Sequence, residues 1–164
     1  MIATITSCFS SHSTTTLEEI HVKWNNNNFP GVILNVDGSY LESPGSSDIL
    51  LTELFAIYKG LTLAKNMVID ELVYYSDSLH CINLIKGPSI KYHVYAVLIQ
   101  DIKELMSQSN ITLCHTLREG NNCADFLAKF GASSDSDLTI HASPLKDFLD
   151  ILRSDARVTF FLRE

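Results

Sequence analysis

No run of this 164-residue chain approaches the ~20 consecutive apolar residues that cross a bilayer, so no transmembrane helix and no membrane partner are expected. A basic n-region is missing too. The stretch from Met1 to Thr16 is interrupted by Thr and Ser, which makes a poor secretory signal and reads as a flexible leader. Positive charge is scarce: 12 Lys and Arg against 19 Asp and Glu leave a formal charge of −7. That balance excludes a strong nonspecific polyanion binder, because such affinity comes from counterions displaced by Lys and Arg, so any nucleic-acid contact must be local. Cys8, Cys81, Cys114 and Cys123 form no C-x-x-C pair and no zinc-like spacing. Reduced thiols inside the cell, in nucleus or cytoplasm, are expected rather than a disulfide framework.

What is present supports one domain. With 46% hydrophobic residues and a mean hydropathy of +0.11, the chain can bury one real core but not two, and a monomer is expected. No internal repeat is visible. The Asn run from Asn25 to Asn28, followed by Phe29-Pro30-Gly31, reads as a linker into the first strand. Residues 1–30 are thus assigned to a leader, 31–132 to an α/β domain and 133–164 to a tail. Strands are expected over Val32 to Asp37, Leu72 to Tyr75 and Ile111 to His115, the second being a short apolar run suited to a strand covered on both faces. Helices are expected over about 47–67, 78–86, 93–108 and 122–131. After the acidic, Ser-rich turn from Ser133 to Asp137, Ser143-Pro144 resembles an N-cap followed by Pro at the first helical position. Leu145, Phe148, Leu149 and Leu152 would then form the stripe of a docked tail helix.

Four carboxylates stand inside local motifs: Asp37 in NVDGS, Glu53 in TELFA, Asp77 in YSDS and Asp125 in HTLREGNNCADFLA. Each also has a purely structural explanation. Asp37 precedes Gly38 and suits a turn. Glu53 falls within the apolar stripe Leu50, Leu54, Ile57, Leu61 and Ala64, where a lone buried Glu would be costly, unless it sits at the stripe's exposed edge. Asp77 could be the N-cap of the following helix. Asp125 lies in a first helical turn, where the dipole favours an anion. Brought together, four acids repel one another and lose hydration, so they persist only when a multivalent cation neutralises them, and two Mg²⁺ ions would do so.

With these motifs the chain resembles the ribonuclease H family, specifically the plant ribonuclease H-like domains related to the terminal domain of retroelement reverse transcriptases. DGSYLESPG, TELFAIYKGLTLA, YSDSLHCINLI and HTLREGNNCADFLAKFG carry the likeness, which runs from about Trp24 to Ala132. It implies an α/β fold, a ribonuclease H-like mixed sheet flanked by helices, with Asp37, Glu53, Asp77 and Asp125 as catalytic metal ligands. It also implies His115 as an aid to proton movement or product release, and Ser39 and Asn121 as substrate contacts. Asn121 could instead shape the turn before its helix, and His115 could simply end a strand. The implied cofactors are two Mg²⁺ ions, or Mn²⁺, and the implied reaction is endonucleolytic hydrolysis of RNA in an RNA–DNA hybrid, read through duplex shape and the 2′-OH.

The sequence departs from that family at one place. Its members carry a β-hairpin between the first Asp motif and the Glu helix, whereas here the residues from Ser39 to Gly45 run almost directly into Ser46-Ser47-Asp48. The sheet is therefore expected to shrink to about three strands, with the Asp37 strand at an open edge and activity weakened. A splice form, a degenerate retroelement fragment or a misassembled gene would each read this way. Two alternatives to an active nuclease follow: a catalytically silent nucleic-acid-binding or protein-interaction module, and a non-functional remnant.

Overall fold

The computed structural model describes residues 4–6, 21–22, 31–39, 49–88, 92–133, 139, 141, 143–156 and 161–162. In chain order these form β1 (Thr4–Thr6), β2 (His21–Val22), β3 (Val32–Val36), α1 (Ile49–Asn66), β4 (Glu71–Ser76), α2 (Leu79–Lys86), α3 (Ala96–Ser107), β5 (Asn110–His115), α4 (Asn122–Ala132), α5 (Phe148–Ala156) and β6 (Phe161–Leu162). The fold is the expected mixed α/β, ribonuclease H-like arrangement. β3, β4 and β5 are parallel neighbours, with Val32 opposite Leu72 and Leu72 opposite Ile111.

Alternation along the strands divides the sheet's two faces. Leu34, Val36, Leu72, Tyr74 and Leu113 point toward α1, α2 and α3 and form the main core with Leu54, Ile57, Leu61, Ile82 and Ile102. Ile33, Val73 and Tyr75 make a smaller cluster on the other face. Fully burying a side chain of the size of Leu54 or Ile57 is worth roughly 1.5–3 kcal/mol, so the stripe on α1 anchors that helix firmly to the sheet. Close approach of α1 depends on Gly60. A Cβ there would lie 2.9 Å from Tyr74 Oη and 3.0 Å from Val36 Cγ1. Tyr74, fully buried, donates its hydroxyl to the Ala56 carbonyl at 3.3 Å and so ties β4 to α1.

The β3 edge is not open, contrary to expectation. Thr4–Thr6 pairs with it antiparallel, Thr4 opposite Asn35 and Thr6 opposite Ile33, so the sheet has four strands in the order β1-β3-β4-β5. An unpaired strand edge is a template for any extended segment, and residues assigned to the leader supply one. β2 and β6 form a separate antiparallel pair. Residues 40–48, the segment in which a hairpin is expected to be lost, and most of the linker and of the acidic turn lie outside the described residues.

The tail helix starts later than expected. Ser143 and Pro144 are not its cap; a turn closed by Phe148 N–H to the Leu145 carbonyl at 3.1 Å leads into α5 instead. Phe148 is buried against Cys123 and Leu127 of α4, flanked by Leu145, Ile151 and Leu152. Ile151 takes the place in that contact that the sequence pattern gave to Leu149.

Candidate metal centre

Strand register builds the site. Val36 pairs with Ser76 and Ser76 with His115, so Asp37, Asp77 and the end of β5 emerge side by side at the carboxyl edge of the parallel strands. Sites in open α/β sheets gather at that edge. Glu53 arrives from the first part of α1, which lies against the backbone just after Asp37. Gly38 permits this: a Cβ on it would sit 2.8 Å from the carbonyl carbon and oxygen of Thr52 and 2.9 Å from the Glu53 nitrogen.

Asp37, Glu53 and Asp77 each offer a carboxylate oxygen, and these oxygens lie within 4.8 Å of one another. Two of the carboxylate oxygens in the cluster are unsatisfied. Glu53 Oε2 and Asp77 Oδ1 are buried with no hydrogen-bond partner. Burial and the neighbouring charges of Asp77 and Asp125 push the Asp37 carboxyl up to about 6. Burial, then the charges of Asp37 and Asp77, push Glu53 up to about 8. Asp77 is raised as well, mainly by burial. The Gly38 N–H pulls Asp37 and Glu53 the other way by favouring their ionised forms. Three carboxylates with raised pKa values, two of them with an orphaned oxygen, are a donor set that fits a hard divalent cation.

Asp77 does not cap α2. Ser78 does so, its Oγ accepting from the Cys81 N–H at 3.5 Å, while the Ser78 N–H donates to the Oγ of the fully buried Ser76 at 3.1 Å. The Asp77 carboxylate is therefore left to the cluster. His115 is exposed at the end of β5, its Nε2 3.2 Å from the Asp77 carbonyl oxygen.

Asp125 is not brought into the cluster of three. Its Oδ1 is 3.4 Å from Arg118 Nη2 and its Oδ2 2.6 Å from Lys129 Nζ. Lys129 follows Asp125 by one helical turn, a spacing visible in the sequence and overlooked there; Arg118 carried no such signal. Asn121, taken from sequence as a substrate contact or a shaper of the turn, is fully buried. Its Nδ2 donates to the Val36 carbonyl at 3.0 Å, which pins the start of α4 to the end of β3. Ser39 is half-buried beside Gly38. A groove of about 690 Å³ runs between α4 and α5 and is lined by Asp125, Phe126, Lys129, Phe130 and Asp150; it borders Asp125 but none of the three clustered acids. Among the described residues no helix is long and apolar enough to cross a membrane.

A comparison with curated proteins gave no match. The family described as reverse transcriptase-like matches residues 18–131, a span that holds β3 to β5, α1 and all four motif carboxylates. The chain therefore belongs to the reverse transcriptase-like family, a retroelement-associated, nucleic-acid-binding family.

Proposed function

We propose that this chain is a ribonuclease H-type domain that hydrolyses the RNA strand of RNA–DNA hybrids with the help of two divalent cations, Mg²⁺ or Mn²⁺. The observation that carries the reading is the meeting of Asp37, Glu53 and Asp77, from two parallel strands and a helix, with two orphaned oxygens among them. When bound, the cations supply neutralisation of the scissile phosphate and an activated water.

The chain's own residues do the rest. Asp37, Glu53 and Asp77 would hold the cations, and Asp125 would join them once released from its ion pairs. His115, exposed with Nε2 beside the Asp77 carbonyl, would pass a proton on the solvent side. Ser39 is the more accessible substrate contact. Asn121, being buried, acts by holding Asp37 in place through the Val36 carbonyl.

A second reading, a catalytically silent nucleic-acid-binding module, draws support from the ion-paired Asp125. Incubating purified protein with an end-labelled RNA–DNA hybrid, with and without Mg²⁺, separates the two. Internal cleavage of the RNA strand that requires the metal supports the nuclease. Binding without cleavage supports the silent module.

A further inference from the structure

Four of the described cations have contacts away from the carboxylate cluster. Lys59 lies over the Phe55 ring, Lys65 donates to Gln108 Oε1, Lys103 donates to the Gly87 carbonyl and Arg153 pairs with Asp150. Arg118 and Lys129 differ, because both end on Asp125. Lys129 shares a face of α4 with Asp125, one turn on. Arg118 reaches back from the short 3₁₀ turn Arg118–Gly120 that precedes the helix. Their side chains are 73% and 60% exposed and Asp125 is 22% exposed, so both cations descend on the carboxylate from solvent. Ion pairs exposed to this degree hold weakly and exchange easily.

The rest of the chain makes these two cations conspicuous. A protein of net charge −7 that takes up a polyanion must concentrate positive charge where the phosphates lie. Arg118 is near enough to the cluster that its charge favours ionisation of Asp37 and Asp77, against the effect of their burial.

We propose that Arg118 and Lys129 form a binding site for the phosphodiester backbone of nucleic acid beside the carboxylate cluster, and that Asp125 holds both in reserve until a divalent cation draws its carboxylate away. The inference rests on the reading above that the site takes nucleic acid and divalent metal. One carboxylate has two alternative sets of partners. Paired with Arg118 and Lys129 it is withheld from metal, and they are withheld from phosphate. Turned to metal it frees two cations, one a planar fork suited to phosphate oxygens and one a point charge. Metal and nucleic acid then strengthen each other's binding, and by linkage the coupling is the same in both directions.

Two binding measurements without turnover test this, using substitutions outside the hydrophobic core. Binding of a fluorescent RNA–DNA hybrid is followed by anisotropy in EDTA across a salt series. Asp125→Asn is expected to bind the hybrid roughly five-fold or more tightly than the parent, since both cations are released. Adding Arg118→Gln and Lys129→Gln to it is expected to remove that gain and to flatten the salt dependence by about one unit per side chain. Calorimetric titration with Mg²⁺ alone is expected to show the double variant Arg118→Gln/Lys129→Gln binding metal more tightly than the parent. Unchanged hybrid affinity in Asp125→Asn, no hybrid binding by any variant, or unaltered Mg²⁺ affinity in the double variant would overturn the proposal. Because the assays read binding, their failure is separable from that of the nuclease reading: cleavage by the parent with these results leaves the nuclease standing and removes Arg118 and Lys129 from it.

Discussion

Gly38 shows how narrowly the three acids are placed. Any side chain on it meets the α1 backbone at 2.8–2.9 Å, and interiors this tight respond by moving the helix, not by compressing. Gly38→Ala is therefore expected to shift Glu53 away from Asp37 and to lower Mg²⁺-dependent cleavage by roughly 10²-fold, the cost of a misplacement near 1 Å. Steady-state rates on a labelled hybrid check it, with circular dichroism confirming that the variant folds. The same three acids set a pH dependence. Asp37 is raised from 3.8 to about 6 and Glu53 from 4.5 to about 8, so the folded state keeps protons that the unfolded chain has released. Without metal, stability is expected to fall as pH rises from about 4 to about 8 and to level off above. Thermal melts in EDTA across that range measure it, and Glu53→Gln should flatten the upper half of the slope. Melts that rise over the same interval would contradict the assignment. Asp37, Glu53 and Asp77 were legible in the sequence because each abuts a buried run whose element fixes its direction. The other residues were harder to read. Ser78 and Asp77 are both good caps, and only the backbone decides between them; Asn121 is as suitable chemically for a substrate as for the Val36 carbonyl.

At the ends of the elements, two contacts carry measurable stability. α1 closes with the Ile69 N–H on the Ala64 carbonyl and the Val68 N–H on the Lys65 carbonyl, both 3.0 Å. That is a Schellman closure with Val68 in the left-handed position at φ 57°. A β-branched side chain is strained there, and Val68 is 78% exposed, so it gains little in return. Val68→Gly is expected to raise unfolding free energy by about 1 kcal/mol in urea titration. The start of α4 depends on Asn121 and its bond to the Val36 carbonyl. Asn121→Ala strands that carbonyl and is expected to cost about 1–3 kcal/mol, with metal affinity falling as Asp37 loosens. The parallel strands and the four helices from α1 to α4 were readable from apolar periodicity to within three residues. α5 was displaced because Ser143-Pro144 has the chemistry of a helix start while the apolar contacts that fix the helix, at Phe148 and Ile151, come later. β1 gave no signal, since three residues are too few for alternation to register and its place depends on a partner strand distant in sequence.

Across the whole molecule, an antiparallel three-residue strand occupies the edge of β3 that the sequence led one to expect open. So short a strand pairs with residues 33–35 alone among those described, and a site that is to hold metal tolerates little looseness in the strand that leads to Asp37. Grafting a family hairpin between Gly45 and Ser46 is accordingly expected to raise both the melting temperature and the rate of Mg²⁺-dependent hybrid cleavage. A graft that stabilises the protein without raising the rate would place the fault in the site, with Asp125 and its ion pairs the first suspects. All of this depends on Asp37, Glu53 and Asp77 being a divalent-metal site, and Mn²⁺ binding followed by electron paramagnetic resonance measures that most directly. Titrated into the parent, Mn²⁺ is expected to lose its free-ion signal in proportion to protein, and Asp77→Asn is expected to leave the signal in solution. Free Mn²⁺ throughout the parent titration, or uptake unchanged by Asp77→Asn, would contradict the account.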